Sequence, residues 1–134
     1  GEIGIPSRIL AGKYGAPFTY STFHHERTLA PGQLSFEQMK DIYHYDHIQP
    51  DTRVYGYVAD AVGQSVVPLV HNAAFRALNI NAVCVPYRVP REYLTSFLHD
   101  CVSMDVFGMS VGPPHRDGPR LRRRCARGAG RRRA

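Results

Sequence analysis

Thr52-Arg53-Val54-Tyr55-Gly56-Tyr57-Val58-Ala59-Asp60-Ala61-Val62-Gly63-Gln64-Ser65-Val66-Val67-Pro68 decides the fold of this chain. Val54 to Ala59 is continuously apolar rather than alternating, the pattern of a parallel strand covered on both faces. Asp60 to Val67 reads as a Gly-containing loop. Pro68 suits the first turn of a helix that carries Leu69, Val70, Ala73, Ala74, Ala77 and Leu78 and ends at Asn79. Further on, Ala82-Val83-Cys84-Val85-Pro86-Tyr87 is a second strand. Pro90 opens a second helix with Tyr93, Leu94, Phe97, Leu98 and Cys101 in one apolar stripe, and Val106 to Val111 is a third strand. The alternation predicts an α/β fold: a truncated open parallel sheet, βαβαβ, with right-handed crossovers. So small a sheet keeps an exposed edge, which invites self-association.

Upstream, residues 1–35 are rich in Gly and Pro, with one strand-like segment from Ala16 to Ser21. The rest of that stretch is expected to be loosely ordered or to pair opportunistically. Ser35 and Gln38 have capping-box spacing, and Phe36, Met39, Ile42 and Tyr43 recur at helical intervals. This linker helix should fade near Asp46, before the turn Gln49-Pro50-Asp51-Thr52.

The formal charge of +6 over 134 residues hides an asymmetry. Residues 1–115 hold eight Lys/Arg and ten Asp/Glu, whereas residues 116–134 hold nine Arg and one Asp. The body is slightly acidic and the whole positive excess sits at the end. A length of 134 residues and 43% hydrophobic content fit one modest domain, or pieces of two, and argue against wholesale disorder. No apolar run reaches the ~18–20 residues of a membrane span. The start, Gly1-Glu2-Ile3, shows no signal-peptide pattern, and Cys84, Cys101 and Cys125 give neither a disulfide framework nor a metal pair, which points to a reducing cytoplasm.

Three features could carry chemistry. His24-His25 and His44-x-x-His47 could gather round a metal, but no carboxylate or cysteine completes a known spacing, so surface histidines are expected. The Arg-rich end could bind nucleic acid or an acidic partner through phosphate contacts, non-specifically, because it lacks aromatic interleaving. Its Arg, Gly, Ala and Pro content is also what GC-rich DNA encodes when read out of frame. The loop from Asp60 to Pro68 follows a parallel strand, where open α/β sheets bind ligands, and it is not a dinucleotide fingerprint.

Two runs carry a resemblance. Ser7-Arg8, then Gly15-Ala16-Pro17-Phe18-Thr19-Tyr20-Ser21, then Ala30-Pro31-Gly32-Gln33, resembles the C-terminal end of type I 3-dehydroquinate dehydratase, a barrel of alternating strands and helices. Thr52 to Asn72, with Val54-Tyr55-Gly56, Ser65, Pro68 and His71-Asn72, is similar to the N-terminal substrate-binding domain of shikimate dehydrogenase. That likeness continues through Gly108-Met109-Ser110-Val111 and Pro114-His115. Leu34 to Asp51 resembles the linker of bifunctional dehydratase–dehydrogenase proteins of the shikimate pathway, which leads to chorismate and the aromatic amino acids. The implied organisation is a dehydratase end over 1–34, a linker helix over 35–51, a partial substrate domain over 52–115 and an Arg-rich disordered tail over 116–134.

What the resemblance implies for the sites is specific. Arg8 matches an arginine that grips the dehydratase substrate's carboxylate, and Gln33 matches a glutamine of a closing loop. The Schiff-base lysine of that family has no counterpart, and Lys13 is not at its position. In the dehydrogenase, two serines of S-x-S-P bind the substrate carboxylate; here Ser65 is kept and Val67 replaces the second. Asn72 is a further candidate for substrate contact. The T-[IV]-P-[HF]-K run with its catalytic lysine reads Gly112-Pro113-Pro114-His115-Arg116. Gly112 offers no hydroxyl, and Arg116 keeps the charge but, with a pKa above ~12, does not shuttle protons near neutrality. The expected ligand is a shikimate- or 3-dehydroshikimate-like small molecule, weakly held. No cofactor is expected for this chain, NADP serving the full-length family enzyme.

Overall fold

The strand Arg53–Ala59 (β1) is the middle of a three-stranded parallel sheet, flanked by Ala82–Arg88 (β2) and Val106–Val111 (β3) in the order β2-β1-β3. The structure, a computed structural model, describes residues 1–27 and 29–117. Three α-helices accompany the sheet: α1 (Ile5–Ile9), α2 (Val67–Ala77) and α3 (Leu94–Ser103). None of the described helices is long and apolar enough to cross a membrane.

The unbroken apolar run of β1 has the cause proposed for it: both faces are covered. Val54 and Val58 join Val83, Val85 and Tyr87 in a core sealed by Ile5, Ile9 and Leu10, by Leu34, Met39 and Tyr43, and by Leu94. On the other face Tyr57 and Ala59 pack with Val62 and Cys84, closed by Val67 and Phe75 of α2. Successive side chains of a strand alternate faces, so one strand feeds both layers. Gly56 permits the close fit, since a Cβ there would lie 3.2 Å from the Tyr87 ring. The pairing of β1 with β3 slips between Val54 and Tyr55, opposite Val106 and Gly108, and leaves Phe107 as an extra, exposed residue.

Several expectations are corrected. Ala16 to Ser21 forms no strand; Phe18 and Tyr20 are 62% and 75% exposed, and the only nearby pairing is an isolated bridge between Thr22 and Ser35. A strand needs a neighbour for its backbone groups, and no described strand lies beside this segment. The N-terminal stretch is nonetheless anchored by Ile5, Ile9 and Leu10, on and just past a helix that begins with a proline in its first turn. In α2 the face turned inward is Pro68, Asn72 and Phe75, while Val70 and, just past the helix, Leu78 are 60% and 69% exposed. In α3, Leu94 and Cys101 are buried as read, but Tyr93 sits in a preceding turn, Arg91–Tyr93, and points outward.

The linker begins as read. Ser35 N–H donates to Gln38 Oε1 at 2.9 Å, and Gln38 N–H donates to Ser35 Oγ at 3.1 Å, a reciprocal capping box. The helix then widens over Gln38–Ile42, with Tyr43 N–H bonding back five residues to the Gln38 carbonyl, and ends at His44 in the left-handed region. The Arg-rich tail, apart from Arg116 and Asp117, lies outside the described residues.

Candidate functional site

In this strand order β1 sends its chain through α2 to β2 on one side, and β2 returns through α3 to β3 on the other. The loops leaving β1 and β3 therefore part company at the carboxyl end of the sheet. Such a switch point is where open α/β sheets form ligand crevices. Two loops frame it here, Asp60 to Val66 after β1 and Gly112 to Arg116 after β3.

Ser65 stands in the first loop. Its N–H donates to the Val62 carbonyl at 3.1 Å, and its hydroxyl accepts from Val67 N–H at 3.2 Å. The serine thus takes up one of the donors left open at the start of α2. Val67 turns its side chain into the Tyr57–Ala59–Cys84 cluster, where it packs rather than binds.

Gly112 begins the second loop, its N–H donating to the Val58 carbonyl at 2.8 Å. A Cβ at this position would collide with the Tyr57 hydroxyl and lie 2.9 Å from Tyr57 Cζ and 3.0 Å from Ala59 Cβ. A residue with a Cβ at 112 therefore requires the Tyr57 ring to shift. The Tyr57 hydroxyl has no hydrogen-bond partner among the described residues. It is the functional candidate that sequence reading missed, because a tyrosine in an apolar strand reads as core.

His115 is buried and ties this loop to the end of β2, its Nε2–H donating to the Val89 carbonyl at 2.8 Å. Arg116 is exposed and donates from Nε to the Val111 carbonyl at 2.7 Å, which leaves its terminal nitrogens for a ligand. Arg88, at the end of β2, adds a second cation: it donates to the Asp60 carbonyl at 3.0 Å and pairs with Glu2 at 3.3 Å. That carboxylate lies against Gly63, so the N-terminal segment reaches the rim of the crevice.

The other candidates lie elsewhere. Asn72 is buried behind β2, where its amide donates to the Cys84 carbonyl at 3.0 Å and accepts from Cys84 N–H at 2.7 Å. Both polar groups of the amide are consumed there, and the Cys84 thiol, its pKa pushed up to about 12 by burial, stays protonated. Arg8 donates to the Gly32 carbonyl at 2.9 Å, and Gln33 accepts from Leu29 N–H at 2.8 Å. No described hydrogen bond or ion pair joins either residue to Ser65, Gly112 or Arg116. Among the described residues no group of three or more His, Cys, Asp or Glu side chains could hold a metal ion.

The fold is an open, parallel α/β sheet preceded by a helical linker. The family described as Type I 3-dehydroquinase matches residues 1–50, and the one described as Shikimate dehydrogenase substrate binding domain matches residues 57–118. The two matches follow one another along the chain, in the order in which the name of a bifunctional relative gives the two activities. The chloroplastic bifunctional 3-dehydroquinate dehydratase/shikimate dehydrogenase of Arabidopsis thaliana is 39% identical over 87% of this chain and 19% of its own length. Shikimate dehydrogenase (NADP(+)) of Thermococcus kodakarensis is 39% identical over 50% of this chain and 25% of its own. The shikimate biosynthesis protein AroDE of Chlamydia pneumoniae is 27% identical over 85% of this chain and 24% of its own. This chain spans no more than a quarter of each of these relatives.

Proposed function

We propose that this chain corresponds to the junction of a bifunctional shikimate-pathway protein and, by itself, holds a shikimate-like carboxylate without completing either reaction. The observation that carries the reading is the placement of the loops that follow β1 and β3 at the carboxyl end of the sheet, with Ser65 on one and the Arg116 guanidinium on the other. A guanidinium suits a carboxylate because its planar fork matches the two oxygens. Reduction of a 3-dehydroshikimate ketone needs a hydride on carbon and a proton on oxygen. Arg116 stabilises negative charge but retains its proton, so the second requirement is unmet at this position. NADP enters only through the relatives that bear it in their names. Arg8 and Gln33 act in this reading as braces of the N-terminal segment, and no dehydration is expected from them. The buried thiols Cys84 and Cys101 fit a reducing compartment such as the cytoplasm.

The test is a pair of measurements on the full chain. Incubation with shikimate and NADP should give no absorbance change at the reduced-nicotinamide band, and calorimetry with shikimate should give saturable heat at millimolar ligand. Turnover that survives repurification would overturn the inactive reading. Absence of heat would overturn the binding reading.

A further inference from the structure

A recess of about 280 Å³ opens at the opposite end of the sheet, where the linker meets the turn that follows α2. His44 and His47 of the linker face Arg76, Asn79 and Asn81 across it, with Phe75 as an apolar wall, and no carboxylate lines it. Its hydrogen-bonding capacity is mostly unspent. Arg76 has no ion pair among the described residues, and His44 Nε2 is buried without a partner. The Asn81 side-chain oxygen accepts from the Thr52 hydroxyl at 2.7 Å, which leaves the amide NH₂ to donate elsewhere.

Arg76 is the one guanidinium that lines the recess, and the adjoining hollow, which shares Ile80 and Asn81, brings Asp51 and Arg53 close by. Burial, Arg76 and His47 hold the His44 imidazole below its ordinary pKa, against weaker support from the Lys40 carbonyl and Asp41. The recess lies at the C-terminal end of α2, where the carbonyls of Ala74, Phe75 and Arg76 accept from Leu78, Ile80 and Asn79 N–H. These acceptors are engaged within the turn, and Arg76 has to outweigh the negative end of the helix dipole. His44 and Asn79 both hold left-handed backbones, with φ of 49° and 53°, on the two sides of the opening. A concave site lined by a guanidinium, three amides and two imidazoles, and by no acid, is complementary to an anion with several oxygens.

We propose that this recess binds a small oxyanion, a phosphate or a carboxylate, gripped by Arg76 with Asn79, Asn81 and His47 around it. The site is distinct from the switch-point crevice and independent of the function proposed for that crevice. It is tested on the full, isotopically labelled chain by titration with inorganic phosphate at constant ionic strength, followed by nuclear magnetic resonance. The expected result is saturable shifts of the Asn79 and Asn81 side-chain amides and of the His44 and His47 rings. Arg76→Gln should weaken the apparent affinity about tenfold or more, as loss of a hydrogen-bonded charge does. A parallel titration with acetate separates the sources: shifts with both anions assign a carboxylate-tolerant site, and shifts with phosphate alone a phosphate site. Shifts that never saturate, or an affinity unchanged in Arg76→Gln, would overturn the proposal. If Arg76→Gln disturbs the fold, Asn79→Gly, which keeps the left-handed turn, supplies the same comparison.

Discussion

Gly112 and Tyr57 act as a matched pair. A tyrosine in β1 reaches the start of the β3 loop, and with its ring as placed its hydroxyl occupies the space that a Cβ at 112 would take. Gly112→Thr, which restores the hydroxyl of the dehydrogenase pattern, is therefore expected to destabilise the chain by about 1–3 kcal/mol, the usual cost of overpacking. Combined with Tyr57→Leu, the same threonine should cost clearly less, because the two sites are in contact and so are not additive. Urea unfolding of the two single variants and the double variant gives the coupling. Strict additivity would show that the pair is not matched. The differences at 67, 112 and 116 are set only against the pattern that the resemblance implies, and they are legible because each is a plain change of side-chain chemistry. Tyr57 was not legible, because only the folded distance to Gly112 distinguishes it from an ordinary core residue.

At the scale of elements, the three strands of the sheet are readable, whereas Ala16 to Ser21 only resembles a strand and the buried face of α2 is not readable. A run such as Val54 to Ala59 is apolar on both sides, so its burial needs no knowledge of its neighbours. For α2 the sequence offers two stripes, and the more hydrophobic one, with Val70 and Leu78, is the one left outside. What turns the helix is a polar contact, the Asn72 amide pairing with Cys84 N–H and C=O on β2. An asparagine inside a helix reads as a surface or ligand-binding residue. Here it does the work of a missing strand, because β2 is an edge of the sheet. Asn72→Leu keeps the volume but strands two buried backbone groups, at a cost of about 1–3 kcal/mol each. A urea midpoint lowered accordingly, with the slope unchanged, is the expected result. A loss below about 0.5 kcal/mol, the range of ordinary surface changes, would mean that α2 is oriented by other contacts. The short helix α1 escaped notice for the reverse reason: at five residues it is too short to show a period.

For the whole molecule, the consequence is a sheet with unequal edges. Along β2 the Asn72 amide takes the place of a neighbour at Cys84, and α1 covers the adjoining core. Along β3 no residue is fully buried, and its bulged Phe107 stands out beside Tyr55 with Arg53 over its ring. An open edge with an exposed aromatic presents unpaired N–H and C=O groups to any second strand. The slightly acidic body adds little repulsion, since its charges of both signs are nearly balanced over residues 1–115. The chain is therefore expected to self-associate through β3 as its concentration rises. Sedimentation velocity across a wide concentration range, at high enough salt to suppress contacts made by the Arg-rich end, reads this directly. Phe107→Lys places a gatekeeping charge on the edge and should shift the population to monomer, while the buried pairing of β1 with β2 keeps the fold. Association that persists unchanged in Phe107→Lys would locate the interface elsewhere, and the outward stripe of Val70 and Leu78 on α2 is the next surface to substitute.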